Sequence, residues 1–507
     1  MECCDFNWLL LSIVVGAVFL FTTLYSSYWY KLGVRCPWVP KPLFGHFFES
    51  IIGKKHVMAV WELIYQKMGD QPFVGVYNMR TPQLVIKDID LINCILVKDF
   101  NHFNSRGINF DVRSNPLHNN IFVNGGERWR IMRQKMSPGF TFNKLKYMID
   151  QIKECIDCLK LNIDKIVKEE SGEIEIRDMM SKYSTDVIGS CAFGLKLDAI
   201  NDPDSEFRKY GKAVVTPSIR NQIISAILLT QPLLLRLLPK NNRRQETISF
   251  FKNAFQQTIQ YREKNGIDRK DFVEQLMKAR EDLVLNPESK NTDVTFSEMD
   301  IVANAYILFI AGFDTVSTTL TCALYELALN STIQNRVREE IQCEKLKNAG
   351  QLNHEFLSNL TYMHMVIKET LRKHPPLGIL ERVVTEPYKI PGSNVTLENG
   401  TKIIIPIRSI QHDPKYYSNP DEFDPERFSK ENESNLYPNT YYPFGDGPRL
   451  CLGKRFAELE MKIALSEILS NFEILPYEKT QIPLQYIIGS FVNAPENVWL
   501  IFKPINT

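Results

Sequence analysis

The run Phe444-Gly445-Asp446-Gly447-Pro448-Arg449-Leu450-Cys451-Leu452-Gly453 constrains this chain more than any other segment: one cysteine, framed by glycines and a single arginine. Zinc would need further cysteines or histidines at short spacing, and none follow. A disulfide would need a partner and an oxidising compartment. A thiolate donating to haem iron needs only itself, a loop that lets the iron approach, and donors that temper its charge. Gly445, Gly447 and Gly453 suit such an approach, because glycine has no Cβ. Arg449, two residues before the sulfur, can reach an anionic propionate.

The other nine cysteines are scattered through 507 residues, a poor disulfide framework. Cys155 and Cys158 have redox-motif spacing but read as two thiols on one charged helix. A net charge of +1 removes any bulk electrostatic case for nucleic acid as a partner.

From Phe6 to Tyr30 no side chain is charged, a run long enough to cross a bilayer, which takes about 20 apolar residues. Lys31, Arg35 and Lys41 follow it, so the positive-inside rule places the body in the cytosol. A cleaved signal peptide would have a basic start and a small-residue cleavage site; this start is acidic. Residues 1–30 are therefore expected to be a membrane anchor, with Trp29 and Tyr30 at its interface. A cytosolic body makes the Asn-x-Ser/Thr triplets at Asn330, Asn359, Asn394, Asn399 and Asn432 chance matches. Residues 31–50, stiffened by Pro37, Pro40 and Pro42, read as a hinge. No linker or repeat divides residues 51–507, so one domain is the simplest expectation, mainly α with minor β. Residues 221–238 are apolar but broken by Pro232, consistent with core packing or with a surface that dips into lipid.

The clearest helix begins near Thr295-Phe296-Ser297-Glu298, where Thr295 and Glu298 can form a capping box. It is apolar on almost all sides from Ile301 to Ile310, as a buried helix is. Its centre reads Ala311-Gly312-Phe313-Asp314-Thr315. A charge and a hydroxyl there are costly unless satisfied, and Thr315 can bond backward and bend the helix. Alone, the pair reads as a satisfied kink, with Gly312 leaving room for a ligand.

The cysteine frame resembles the haem-thiolate signature of the cytochromes P450. The resemblance extends along the chain, through Trp129-x-x-x-Arg133, Glu369-x-x-Arg372 and Asp424-Pro425-Glu426-Arg427-Phe428, in the order that family shows. It is closest to microsomal forms of the insect detoxification type, which are related to vertebrate drug-metabolising enzymes. The resemblance implies that Cys451 ligates haem b iron. Asp314 and Thr315 would be catalytic, delivering protons to iron-bound dioxygen. Trp129, Arg133, Arg106, Arg382 and Arg449 would meet the propionates, and Ala311 and Phe444 would also bind the cofactor. Glu369, Arg372 and Arg427 would be a buried scaffold.

The implied activity is insertion of one oxygen atom from O2 into a lipophilic substrate, at the endoplasmic reticulum membrane. The pocket would draw on residues 103–122, 221–238, 303–315, 377–380 and 486–491. No GxGxxG after a strand, phosphate loop or flavin domain is present. Electrons from NADPH would therefore arrive through a separate NADPH–cytochrome P450 reductase, with cytochrome b5 as a further partner. Arg128, Arg130, Lys135, Lys454 and Arg455 would receive it. Isomerase or dehydratase chemistry, and a non-catalytic haem sensor or carrier, are the alternatives. The first of these usually lacks the acid–alcohol pair.

Overall fold

The computed structural model describes residues 16, 27–42, 44–108, 112, 115–169, 171–202, 204–215, 242–269, 271–285 and 296–505. Most of the expected anchor, all of residues 221–238 and Thr295 lie outside them. The main helices are α1 (Val57–Met68), α2 (Gly126–Met136), α3 (Phe142–Glu169), α4 (Ile176–Phe193), α5 (Glu206–Val215), α6 (Asn242–Asn265), α7 (Phe272–Leu285), α8 (Glu298–Leu329), α9 (Ser331–Lys347), α10 (Thr361–Lys373) and α11 (Lys454–Asn471). The strands are β1 (Phe73–Asn78), β2 (Thr81–Ile86), β3 (Glu173–Glu175), β4 (Leu380–Val383), β5 (Tyr388–Lys389), β6 (Thr396–Leu397), β7 (Lys402–Ile405), β8 (Phe472–Pro476) and β9 (Trp499–Pro504). The mainly helical expectation holds.

Contacts divide the chain into two units. The first contains the described residues of Met1–Gly107 and Gly378–Ile410. Its sheet has the order β1-β2-β7-β4, with β2 and β7 parallel and the other pairs antiparallel. The buried strand residues Val74, Val76, Leu84, Val85, Ile86, Ile403 and Ile404 form its interior. Helix α1 adds Val60, Trp61, Ile64, Tyr65 and Met68, the stripe that a 3.6-residue period puts on one face. Its first turn is capped by His56, whose Nδ1 accepts from Met58 N.

Trp29 corrects one expectation. It is fully buried, its Nε1 donates to Val76 O at 3.0 Å, and its ring lies on Gly75 so closely that a Cβ there would sit 2.2 Å from it. Tyr30 is 85% exposed. Trp29 is thus a core residue of the first unit, not an interfacial anchor. Residues 31–50 are bonded to the same sheet, through Gly75 N to Arg35 O and Tyr77 N to His46 Nδ1, both 2.9 Å.

The second unit is built around α8, a 32-residue helix long and apolar enough to cross a membrane but mostly buried within the protein. Its capping box is formed by Ser297 and Asp300, whose side chains each accept from the other's backbone N–H. That frame lies two residues beyond the Thr295 and Glu298 one expected. Buried hydroxyls along α8 are satisfied backward: Thr319 Oγ1 donates to Thr315 O and Thr321 Oγ1 to Ser317 O, at 2.9 and 2.7 Å. Helix α4 packs on α8, and there Gly312 has its use. A Cβ on it would lie 2.7 Å from Ile188 Cδ1, so the glycine admits a neighbouring helix and not a ligand.

Glu460, on α11, is fully buried, and no basic side chain among the described residues pairs with it. Burial pushes its pKa well above the carboxylate range, offset in part by Ser184. An acid whose folded pKa is raised is stabilising only while protonated. Stability therefore falls as pH climbs above its unfolded value, toward the folded one. Glu460→Gln should raise the melting temperature at pH 8 and flatten its decline between pH 5 and 8; thermal denaturation across that range checks it.

Candidate active site: a thiol loop and an open helix face

The cysteine loop is shaped by its backbone. Gly445 and Gly447 have φ of 74° and 66°, a region side chains rarely adopt. Gly453 has φ of −87°, so the third glycine is not conformationally required. Asp446 accepts from Gly447 N at 2.7 Å, and Pro448 opens a 3-10 turn over Gly447–Arg449. Cys451 N then donates to Phe444 O at 2.9 Å, which closes the loop and leaves Cys451 exposed. Gln411 ties the loop to the end of α10: its Oε1 accepts from Tyr442 N, and its Nε2 donates to Leu371 O and Arg372 O.

Arg449 is 3% exposed, with its guanidinium carbon 4.3 Å from the centre of the Trp129 ring and Nη2 donating to Asn124 O at 2.6 Å. Arg133, one turn beyond Trp129 on α2, feels the charge of Cys451. Burial lowers its pKa, and Cys451 works against that shift. Trp129, Arg133, Phe444, Arg449 and Cys451 are thus brought together in the second unit.

Helix α8, mostly buried, exposes Ala311 and leaves Ile307, Leu308, Ile310 and Thr315 half-buried. Thr315 Oγ1 donates to Ala311 O at 2.7 Å. Asp314 is 3% exposed and lies on the face toward α4, with Oδ1 3.7 Å from Arg177 Nη2. Burial raises its pKa, and Arg177 opposes the rise. The acid and the alcohol are sequence neighbours on different faces.

Arg106 and Arg382 belong to the first unit. Arg382 is 1% exposed; Nη1 donates to Glu381 O, and Nε has no hydrogen-bond partner among the described residues. Burial, with Arg106 adding like charge, lowers its pKa to about 9. A buried cation held beside another is costly until an anion joins it.

Glu369 and Arg372 are both fully buried, bonded at 2.7 and 2.9 Å, and Arg427 Nε donates to Glu369 Oε1 at 3.3 Å. Arg372 also donates to Gln411 O and Pro420 O, both at 2.8 Å. Of the cations expected to receive a partner protein, Arg128 is engaged elsewhere: its Nη2 reaches Asp300 Oδ1 at 2.5 Å, at the start of α8. Arg130 pairs with Glu127 at 3.2 Å. Asn124, Arg177 and Gln411 escaped sequence reasoning, because nothing in their local sequence marks them.

A sequence model of the family described as Cytochrome P450 matches residues 36–502. The chain belongs to that family. The fly protein "Probable cytochrome P450 6a14" (Drosophila melanogaster) is 37% identical over 495 residues, 96% of this chain and 97% of its own. "Cytochrome P450 6k1" of the cockroach Blattella germanica is 35% identical over 507 residues, 97% of this chain and 95% of its own. This P450 is accordingly a monooxygenase-type oxidoreductase. Its family binds haem through a cysteine thiolate and draws on NADPH through a reductase. The residues of the second unit fit that group, with a thiol exposed on a closed loop and the buried Arg449 guanidinium stacked on Trp129.

Proposed function

We propose that this P450 inserts one atom of O2 into a lipophilic substrate, a xenobiotic or an endogenous lipid. In this reading it takes electrons from a separate NADPH–cytochrome P450 reductase, at the endoplasmic reticulum membrane. Two observations carry the reading: Cys451 is exposed on a closed loop, and α8, mostly buried, leaves Ala311 exposed and Thr315 half-buried.

Cys451 is the iron ligand. Haem, when bound, supplies the iron at which dioxygen is reduced. Arg133 and Arg449 balance negative charge near the sulfur and the propionates, and Trp129 holds the Arg449 guanidinium in place by stacking. Arg106 and Arg382 are the further propionate donors. Arg382 Nε, which has no hydrogen-bond partner among the described residues, supports that role. Ala311 and Phe444 meet the ring.

Thr315 holds its hydroxyl at the Ala311 carbonyl. From there its oxygen can accept a hydrogen bond, and it donates to another group only by turning away from that carbonyl. Asp314, buried on the α4 side beside Arg177, is the acid that resupplies this path. Aliphatic and aromatic groups along 303–315 and 486–491 give the substrate an apolar wall.

Thr315→Val keeps the shape and removes the hydroxyl. Product per NADPH should fall, on the order of 10- to 100-fold, while NADPH consumption continues and peroxide accumulates. The check is simultaneous measurement of NADPH, peroxide and product over a panel of lipophilic compounds with added reductase. Unchanged coupling would remove Thr315 from the proton path.

A further inference from the structure

A second cleft opens in the second unit, away from the Ala311–Thr315 face. It has a volume of about 550 Å³ and lies between α3, the short helix His354–Asn359, α10 and the start of α11. That volume is in the range of small-molecule sites, about 300–1,000 Å³. Its walls are apolar, with Leu145, Ile149, Leu360 and Leu459 among them. Four cationic side chains line it, Lys146, Lys430, Arg455 and Lys462, against one carboxylate, Glu458.

The cations differ in how they are held. Lys462 is fixed, donating to Leu357 O at 2.7 Å. Lys146, Lys430 and Arg455 are exposed and form no ion pair among the described residues. His364 is also in the wall, and of the cations that act on it only Lys462 lines the cleft. Burial first, and then Lys462, Lys368 and Lys454, hold its pKa down to about 4. Its Nδ1 has no hydrogen-bond partner among the described residues.

We propose that this cleft binds an anionic amphiphile, a single acyl chain carrying a carboxylate. Apolar walls would take the chain, and the exposed cations would take the head group. A small inorganic anion would leave the apolar walls wet. The broad acidic surface of a protein would meet the cations without filling the interior. The inference does not rest on the monooxygenase reading, and its test reads binding directly.

The test uses the full chain, loaded with haem, in phosphatidylcholine nanodiscs. The probe is 11-(dansylamino)undecanoate, displaced by dodecanoate or by dodecanol. Haem absorbance is recorded in the same titration, so entry into the substrate pocket is read separately. The expected result is saturable probe binding that dodecanoate displaces at least about ten-fold more tightly than dodecanol. The double variant Lys146→Glu, Lys430→Glu should weaken dodecanoate by at least about ten-fold and leave the haem absorbance response unchanged. Leu145→Trp, which fills the cleft, should abolish the probe signal; if it does not fold, the charge variant decides alone. The proposal is overturned if dodecanoate binds the charge variant as tightly as the parent, or if alcohol and carboxylate compete equally. It is overturned equally if that variant alters only reduction by added reductase, which would make the cleft a protein contact.

Discussion

Cys451→Ala is expected to abolish oxygenation completely and to erase the thiolate-type absorption band of the carbonyl complex. The loop itself should survive. Its shape comes from the left-handed Gly445 and Gly447, the Asp446 turn and the Cys451 N to Phe444 O bond, and none of these uses the sulfur. The described residues contain no other cluster of metal-ligating side chains to take its place. A normal far-ultraviolet circular dichroism spectrum with no carbonyl band is therefore the expected outcome. A variant that keeps the band would remove Cys451 as the ligand.

Arg372→Leu should cost about 3–5 kcal/mol, the penalty for stranding the partner of a buried ion pair. Glu369 would keep only the 3.3 Å contact to Arg427 and the Asp424 N–H, in a fully buried site. The substitution also frees the carbonyls of Gln411 and Pro420. Because Gln411 in turn holds Tyr442 at the root of the cysteine loop, haem retention should fall together with stability. Thermal denaturation and the ratio of haem to protein in purified variants measure the two losses. A melting temperature within a degree of the parent would refute the scaffold role.

The sequence exposed the parts of the site that depend on residue type and order. A lone cysteine among glycines and one arginine admits few chemistries, and the Glu369, Arg372 and Arg427 scaffold followed from the succession of motifs. Facing directions were less legible. Neighbours on a helix point about 100° apart, so a sequence places Asp314 and Thr315 together without saying which one is buried. Gly312 could equally have admitted a ligand or a helix; the nearness of Ile188 decides it. Two overlapping capping frames at the start of α8 differ by two residues, and the local sequence does not choose between them. Partners distant in the chain, such as Asn124 for Arg449 and Arg177 for Asp314, carry no local signature at all.

Trp29 sets a practical limit on shortening the amino terminus. Deletion up to residue 26 leaves the indole seated on Gly75, with its bond to Val76 O intact. A chain begun at Lys31 loses a fully buried tryptophan, a change that costs about 3–5 kcal/mol when made as Trp→Ala. It would also uncover Gly75 and leave Val76 O without the indole donor. Two truncations only four residues apart should thus differ sharply in melting temperature, which thermal denaturation measures.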